Sequence, residues 1–371
     1  MKRKLSAVAF YLSFFTSVHA GSIPKFDHVV IVMMENHSYS DIIGSSLAPY
    51  LNNLADSGAL FTSSYAITHP SQPNYLEIYS GSNQGVTDDN TPSNTPFTTP
   101  NLGAELIANS YTFLSYSEDM PSVGYTGDFY GEYARKHCPW VNWQGSGTNQ
   151  TSSSLSLPFT SFPTDFTKLP TVCFVIPNLI NDMHDGTIAD GDTWSSNNLN
   201  AYAKWAKQHN SLLIITWDED DYSASNQIPT IFYGANVLKG QYSETINHYN
   251  VLHTIEAMYG LKAMANTTNV NTITDVWENA SGIDAAKPEN TDMKVTSLPF
   301  ENTLNIQFSG NIIAGKVNLS LADMNGREIA QTTFSGIAQY LFHIPACPAG
   351  CYILVASGND FMLKRKVVIG E

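Results

Sequence analysis

The chain has 371 residues, 43% of them hydrophobic and 12% aromatic, which suits one large packed domain plus a smaller one and excludes a disordered chain. Acidic residues number 33 against 18 Lys and Arg, a formal net charge of −15. No long-range basic field for nucleic acid exists, and with so few basic side chains a phosphate ester would have to be met by local cations, bound metal above all.

In chain order, Met1-Lys2-Arg3-Lys4, an apolar run to Val18 and small residues ending at Ala20 read as a signal peptide, cleaved after Ala20. The mature protein is therefore expected to be secreted or held at the cell surface. No later stretch reaches the roughly 18 apolar residues of a membrane span. Export permits disulfides. Among Cys138, Cys173, Cys347 and Cys351, chain separation favours Cys138–Cys173 and Cys347–Cys351, with free thiols the alternative.

Residues 26–34 form an apolar, β-branched run too short for a helix core, hence a buried parallel strand. Glu35 and Asn36 end it, where open α/β sheets place ligands. A helix is expected over 47–57 and a strand over 59–66. In Thr68-His69-Pro70-Ser71-Gln72-Pro73-Asn74, two prolines pin the backbone around Ser71 before a helix to Tyr79. A hydroxyl at a helix entrance meets an anion where N–H groups point outward. Residues 81–100 read as a loop, 101–109 as a helix and 111–116 as a strand. Residues 121–165 show no periodicity and many aromatics, a lid or insertion whose rings line a pocket or form its own core. Strands at 171–176, 211–217 and 229–234 alternate with helices at 197–209 and 248–259. This is an α/β pattern, a mostly parallel sheet with helices on both faces. A linker near 285–291 divides a first domain, 21–285, from residues 286–371, whose short strands and turns such as Asn325-Gly326 describe a small β-sandwich.

Strand ends gather the candidate chemistry: Glu35-Asn36; His69 and Ser71; Asp182, His184 and Asp185; Asp218-Glu219; and His248 at a fifth turn. Oxygen ligands with a few imidazoles suit a divalent cation. A serine touching that cation has a lowered hydroxyl pKa and can attack phosphorus, while a histidine can protonate the leaving alcohol. Plainer readings exist for each group: helix caps for Glu35-Asn36 and Ser71, a turn carboxylate for Asp218, packed histidines for His69 and His248. Asp220 and Asp221 read as solvated loop charges.

At these residues the chain resembles the bacterial and fungal phosphoesterases that include secreted acid phosphatases and phosphatidylcholine-hydrolysing phospholipases C. The matching stretches, from Phe26 to Tyr259, are FDHVVIVMMENHSY, THPSQPNYLEIYSG, PNLINDMHDGTIADGDTW, LLIITWDEDD and IPTIFYGANVLKGQYSETINHYNVLHTIEAMYG. The resemblance implies an alkaline-phosphatase-like three-layer αβα sandwich with a central mixed sheet. By it, Glu35, Asn36, Ser71, Asp218 and Glu219 are metal ligands and Ser71 is also the nucleophile. His184, Asp185 and His248 lie near the phosphate or leaving group. His69 and Asn74, in the loop and first turn around Ser71, are expected to bind substrate. Asp218-Glu219 stands where two-zinc relatives have an Asp-His pair, so one divalent ion is expected rather than two. PNLINDMHDG places the chain nearer the acid phosphatases than the phospholipases. The expected function is hydrolysis of phosphate monoesters through a phosphoserine; the alternatives are a phospholipase C or other phosphodiesterase, or a non-catalytic surface binding protein on the same fold. The C-terminal LPFENTLNIQF, LADMNGREI, IPACPAGCYILVA and LKRKVVIG resemble a type IX secretion sorting domain without its usual Tyr-Pro-Asn-Pro opening. That makes secretion machinery the expected partner, with carbohydrate or partner binding the alternative.

Overall fold

The computed structural model describes residues 23–278, 292–298, 302–309, 316–323, 327–335, 339–357 and 362–369. The expected signal peptide and the linker at 285–291 lie outside the described residues. The chain divides into two compact units, Met1–Asn279 and Ala280–Glu371.

In the first unit the elements that position the site are β1 (His28–Met34), α1 (Pro49–Ser57), β2 (Ala59–Phe61), α2 (Ser71–Ser80), α3 (Leu102–Ala108), β3 (Phe113–Ser117), β4 (Ser156–Pro158), β5 (Val172–Ile176), α4 (Ile188–Ala206), β6 (Ser211–Trp217), β7 (Thr230–Gly234), β8 (Gly240–Tyr242) and α5 (His248–Met258). Eight strands form one mixed sheet in the order β8-β2-β7-β6-β1-β5-β3-β4. β1 runs parallel to both β5 and β6, and β7 is antiparallel to β6. Alternation along β1 explains the layering. Val29, Ile31 and Met33 join a core with residues of α2, α3 and α5, whereas Val30, Val32 and Met34 join a second core with α1 and α4. A strand buried on both faces has no polar alternation, which is why its sequence is uniformly apolar.

Three expectations change. The helix expected over 197–209 begins at Ile188, because Thr187 and Asp190 form a reciprocal capping box that starts it earlier. Of the 121–165 segment, chiefly 133–143 enters the core, with Tyr133, Trp140 and Trp143 buried, while Phe129 and Tyr130 are exposed. Its residues 156–158 add strand β4 to the sheet edge. All four cysteines are free thiols. Cys138 packs in the core on one face of the sheet and Cys173 in the core on the other, so the sheet itself separates them.

The second unit holds β9 (Asp292–Leu298), β10 (Thr303–Ser309), β11 (Lys316–Asp323), β12 (Glu328–Ser335), β13 (Gln339–His343), β14 (Gly350–Ser357) and β15 (Met362–Ile369). They form a three-stranded sheet, β9-β10-β13, and a four-stranded one, β12-β11-β14-β15, around one apolar cluster that includes Leu304, Ile306, Leu319 and Leu354.

Candidate active site

Three main-chain contacts bring the strand ends together. Glu35 N–H donates to the Asp182 carbonyl at 2.8 Å, Asp218 N–H to Met34 at 3.0 Å, and Asn36 N–H to Asp218 Oδ1 at 3.2 Å. Asn36 has a φ of 48°, a left-handed conformation that Asn tolerates better than most residues. The turn thus folds Glu35 inward, where it is fully buried.

Ser71 occupies the first position of α2, after the cis His69–Pro70 bond. Its hydroxyl makes no cap. It lies 3.1 Å from Glu35 Oε2 and 3.1 Å from Glu219 Oε1, a donor between carboxylates from two different strands. Every residue of α2 is buried, so the helix is held rigidly with its N-terminus at this point. Tyr75, one turn on, donates to Glu35 Oε1.

The other predicted residues separate into those at the centre and those that brace it. His184 donates through Nδ1 to Asp185 Oδ1 at 2.7 Å, which leaves Nε2 facing inward, 3.3 Å from Lys136 Nζ. Asp185 is exposed. His69 lies between Glu219, 2.6 Å from Nδ1, and Asp220, 3.2 Å from Nε2, and stacks on Tyr222. Asn74, expected to bind substrate, instead accepts the N–H groups of Ile67 and Thr68 and donates to the Thr68 carbonyl. Its polar atoms are consumed in bracing the loop that carries Ser71. His248, expected near the leaving group, is buried and donates through Nε2 to the Asp218 carbonyl at 2.8 Å; burial pushes its pKa down to about 4. A neutral imidazole spent on a carbonyl positions Asp218 and has no proton to offer. Asp220 is not a solvated loop charge: it is buried and accepts three N–H groups, of Tyr222, Ala224 and Asn226. Asp221 is exposed, as expected.

Sequence reasoning left His137, Lys136, Asp89 and Tyr75 unassigned. His137 is buried, 3.2 Å from Glu35 Oε1 and 3.3 Å from Asp182 Oδ2. Lys136 pairs with Asp89 at 2.9 Å. The available signal was Arg135-Lys136-His137, the one run of three basic residues between 21 and 285 of an acidic chain.

Burial raises the carboxyl pKa values of Glu35 and Asp182, and neighbouring acids push the same way. Burial, then the charge of Glu219, lifts Asp218 to about 7, and burial lifts Glu219 to about 7. Four acids so placed hold protons unless a cation replaces them. Two buried oxygens, Asn36 Oδ1 and Asp218 Oδ2, have no hydrogen-bond partner, and a buried polar atom without one is destabilising. The donor chemistry fits a divalent ion held by Glu35, Asn36, Ser71, Asp218 and Glu219. A second set, Glu35, His137 and Asp182, has ligand atoms within 4.8 Å of one another.

Comparison with known proteins places these residues in context. Over 260 residues, covering 70% of this chain and 85% of the relative, the sequence is 52% identical to a phosphatidylinositol-3-phosphatase of Mycobacterium tuberculosis. It is 30% identical over 310 residues to an acid phosphatase of Aspergillus fumigatus, covering 78% of this chain and 66% of that one. A crystal structure of a protein in the alkaline phosphatase superfamily from Vibrio parahaemolyticus aligns with a TM-score of 0.47 at 11% identity, over 95% of this chain and 84% of that one. Residues 298–370 match the secretion system C-terminal sorting domain. Residues 45–262, more than half of the chain, match the phosphoesterase family, and the protein belongs to that family as a hydrolase of phosphoric esters.

Proposed function

We propose that the protein is an exported, metal-dependent acid phosphatase that hydrolyses phosphate monoesters through a phosphoserine at Ser71. The observation that carries this reading is the Ser71 hydroxyl held between Glu35 and Glu219 at the N-terminus of a buried ten-residue helix. A carboxylate within hydrogen-bond reach can take the hydroxyl proton as the oxygen attacks phosphorus. The Gln72 N–H, next on the helix, faces the added phosphate, where the helix dipole favours negative charge. His184 is the proton donor to the leaving alcohol, since Asp185 fixes its Nδ1–H and its Nε2 faces the site. Water then cleaves the phosphoserine, with the same histidine returned to a base.

Glu35, Asn36, Ser71, Asp218 and Glu219 would hold the ion. When bound, it offsets the crowded carboxylates and favours the ionised serine oxygen. The name of the mycobacterial relative supports a phosphoinositide monoester among the substrates. The match at 298–370 supports export through a secretion system whose signal is the C-terminal unit. The test is turnover of p-nitrophenyl phosphate and of phosphocholine diesters, before and after chelation, with elemental analysis. Monoester turnover that falls with chelation, with one ion per chain, is expected; two ions would assign the Glu35–His137–Asp182 set as well. Diester preference would favour the phospholipase reading, and absence of turnover the binding-protein reading.

A further inference from the structure

An acidic side chain sits where the substrate's own anion has to bind. Asp89, from the loop after α2, returns to the start of that helix. Its Oδ1 accepts the Gln72 N–H at 3.0 Å and its Oδ2 accepts from Lys136 Nζ at 2.9 Å. The loop is clamped there by the Gln72 side chain, whose Nε2 donates to the carbonyls of Asp88 at 2.8 Å and Asn90 at 2.7 Å. One N–H beside the nucleophile and one ammonium are the donors a phosphoryl group on Ser71 requires.

Lys136 is not a solvated surface charge: only 11% of its side chain is exposed. It also touches His184, the leaving-group donor, at 3.3 Å. Beside this pair opens a cavity of about 120 Å³ lined in part by Gln72, Asp89, Arg135 and Lys136. Arg135 is itself buried, and two of its guanidinium nitrogens, Nε and Nη1, have no hydrogen-bond partner. The lining includes Lys136 and Arg135 as well as the carboxylates of Asp89 and Asp128, so an anion meets two cations there once Asp89 moves aside.

Resting on the phosphoesterase reading above, we propose that Lys136 is a catalytic residue that grips the phosphoryl oxygens, and that Asp89 holds this grip in the substrate-free protein and yields it to the phosphate group. The carboxylate and the phosphoryl group cannot share the ammonium without like charges in contact. Substrate therefore displaces Asp89, and part of its binding free energy is consumed in doing so.

Steady-state kinetics with p-nitrophenyl phosphate, and inhibition by inorganic phosphate, test this in the full-length protein. Lys136→Met should lower kcat by about 10²-fold or more, the usual effect of removing one charge-stabilising donor, and weaken phosphate inhibition about tenfold. Lys136→Arg should recover part of both. Asp89→Asn should tighten phosphate inhibition about three- to tenfold by removing the competitor, and that gain should vanish in the Lys136→Met background, the coupling expected of residues in contact. Thermal unfolding checks each variant; if Lys136→Met fails to fold, Lys136→Gln carries the same expectations. Wild-type kcat and inhibition in the Lys136 variants, or unchanged or weaker inhibition in Asp89→Asn, overturns the proposal. Such a result alongside an inactive Ser71→Ala would leave the phosphoserine reading intact, whereas full turnover by Ser71→Ala would remove that reading instead.

Discussion

At the scale of single residues, the site is decided by which polar atoms are spent and which are free. Ser71 is free to react because its hydroxyl does not cap its helix, whereas His248 is spent on the Asp218 carbonyl. His248→Ala should then lower kcat by about tenfold through misplacement of Asp218, with both limbs of the pH–rate profile retained. Loss of one limb would return the histidine to proton transfer. The converse holds for His184→Ala, in which the limb due to the protonated acid should disappear. The residues legible in the sequence were those at ends of apolar strands: Glu35, Asp218 and Glu219 follow runs whose fate as buried strands is unmistakable. His137 and Lys136 were not legible in this way. They sit in a segment without periodicity, and only tertiary folding brings His137 against Glu35. Asp220 differs from a solvated loop charge for a local reason: its three N–H partners come from the turn that follows it.

At the scale of elements, α2 must be both rigid and aimed. Gly81 ends it with φ 71° and donates its N–H to Glu77. A Cβ there would lie 2.6 Å from the Met264 carbonyl oxygen, which is backbone and cannot rotate away. Gly81→Ala is expected to destabilise by about 1–3 kcal/mol, measured by denaturant unfolding, from the left-handed φ and the clash together. Wild-type stability would mean the helix end can shift, and with it the rigidity argued for Ser71. The α/β class was foreseeable from strand–helix alternation, but the edge strands β4 and β8 were not. The three residues of β4 are too few to show a period, and it exists because β3 offers it a parallel partner.

At the scale of the whole molecule, the acids of the site couple stability to metal and pH. Without a cation, Asp218 and Glu219 titrate near 7 when folded, above the ordinary carboxylate range they have when unfolded. A raised pKa contributes stability below the unfolded value, and that contribution is lost as pH rises through the folded value. Burial shifts Glu35 and Asp182 in the same direction. His248, lowered to about 4, and His137, lowered by burial, act oppositely, and their contribution is lost as pH falls below about 6.5. The four acids outnumber these two. Chelated protein should therefore lose stability between about pH 4.5 and 7, and the difference in Tm between metal-loaded and chelated samples should be larger at pH 8 than at pH 5. Equal differences at the two pH values would mean the carboxylates do not hold the ion. None of the candidate site residues discussed above lies in Ala280–Glu371, so residues 21–285 alone should fold and keep activity. A folded but inactive truncation would assign the second unit a part in catalysis.

The central claim is that Ser71 carries the phosphoryl group. Its most direct test is rapid acid quenching of the enzyme during turnover of p-nitrophenyl phosphate, followed by mass spectrometry of its peptides. A phosphate on Ser71, absent in Ser71→Ala along with at least about 10³-fold of the turnover, is the predicted result. Phosphate on His137 or His184 instead, or near wild-type turnover in Ser71→Ala, would contradict it.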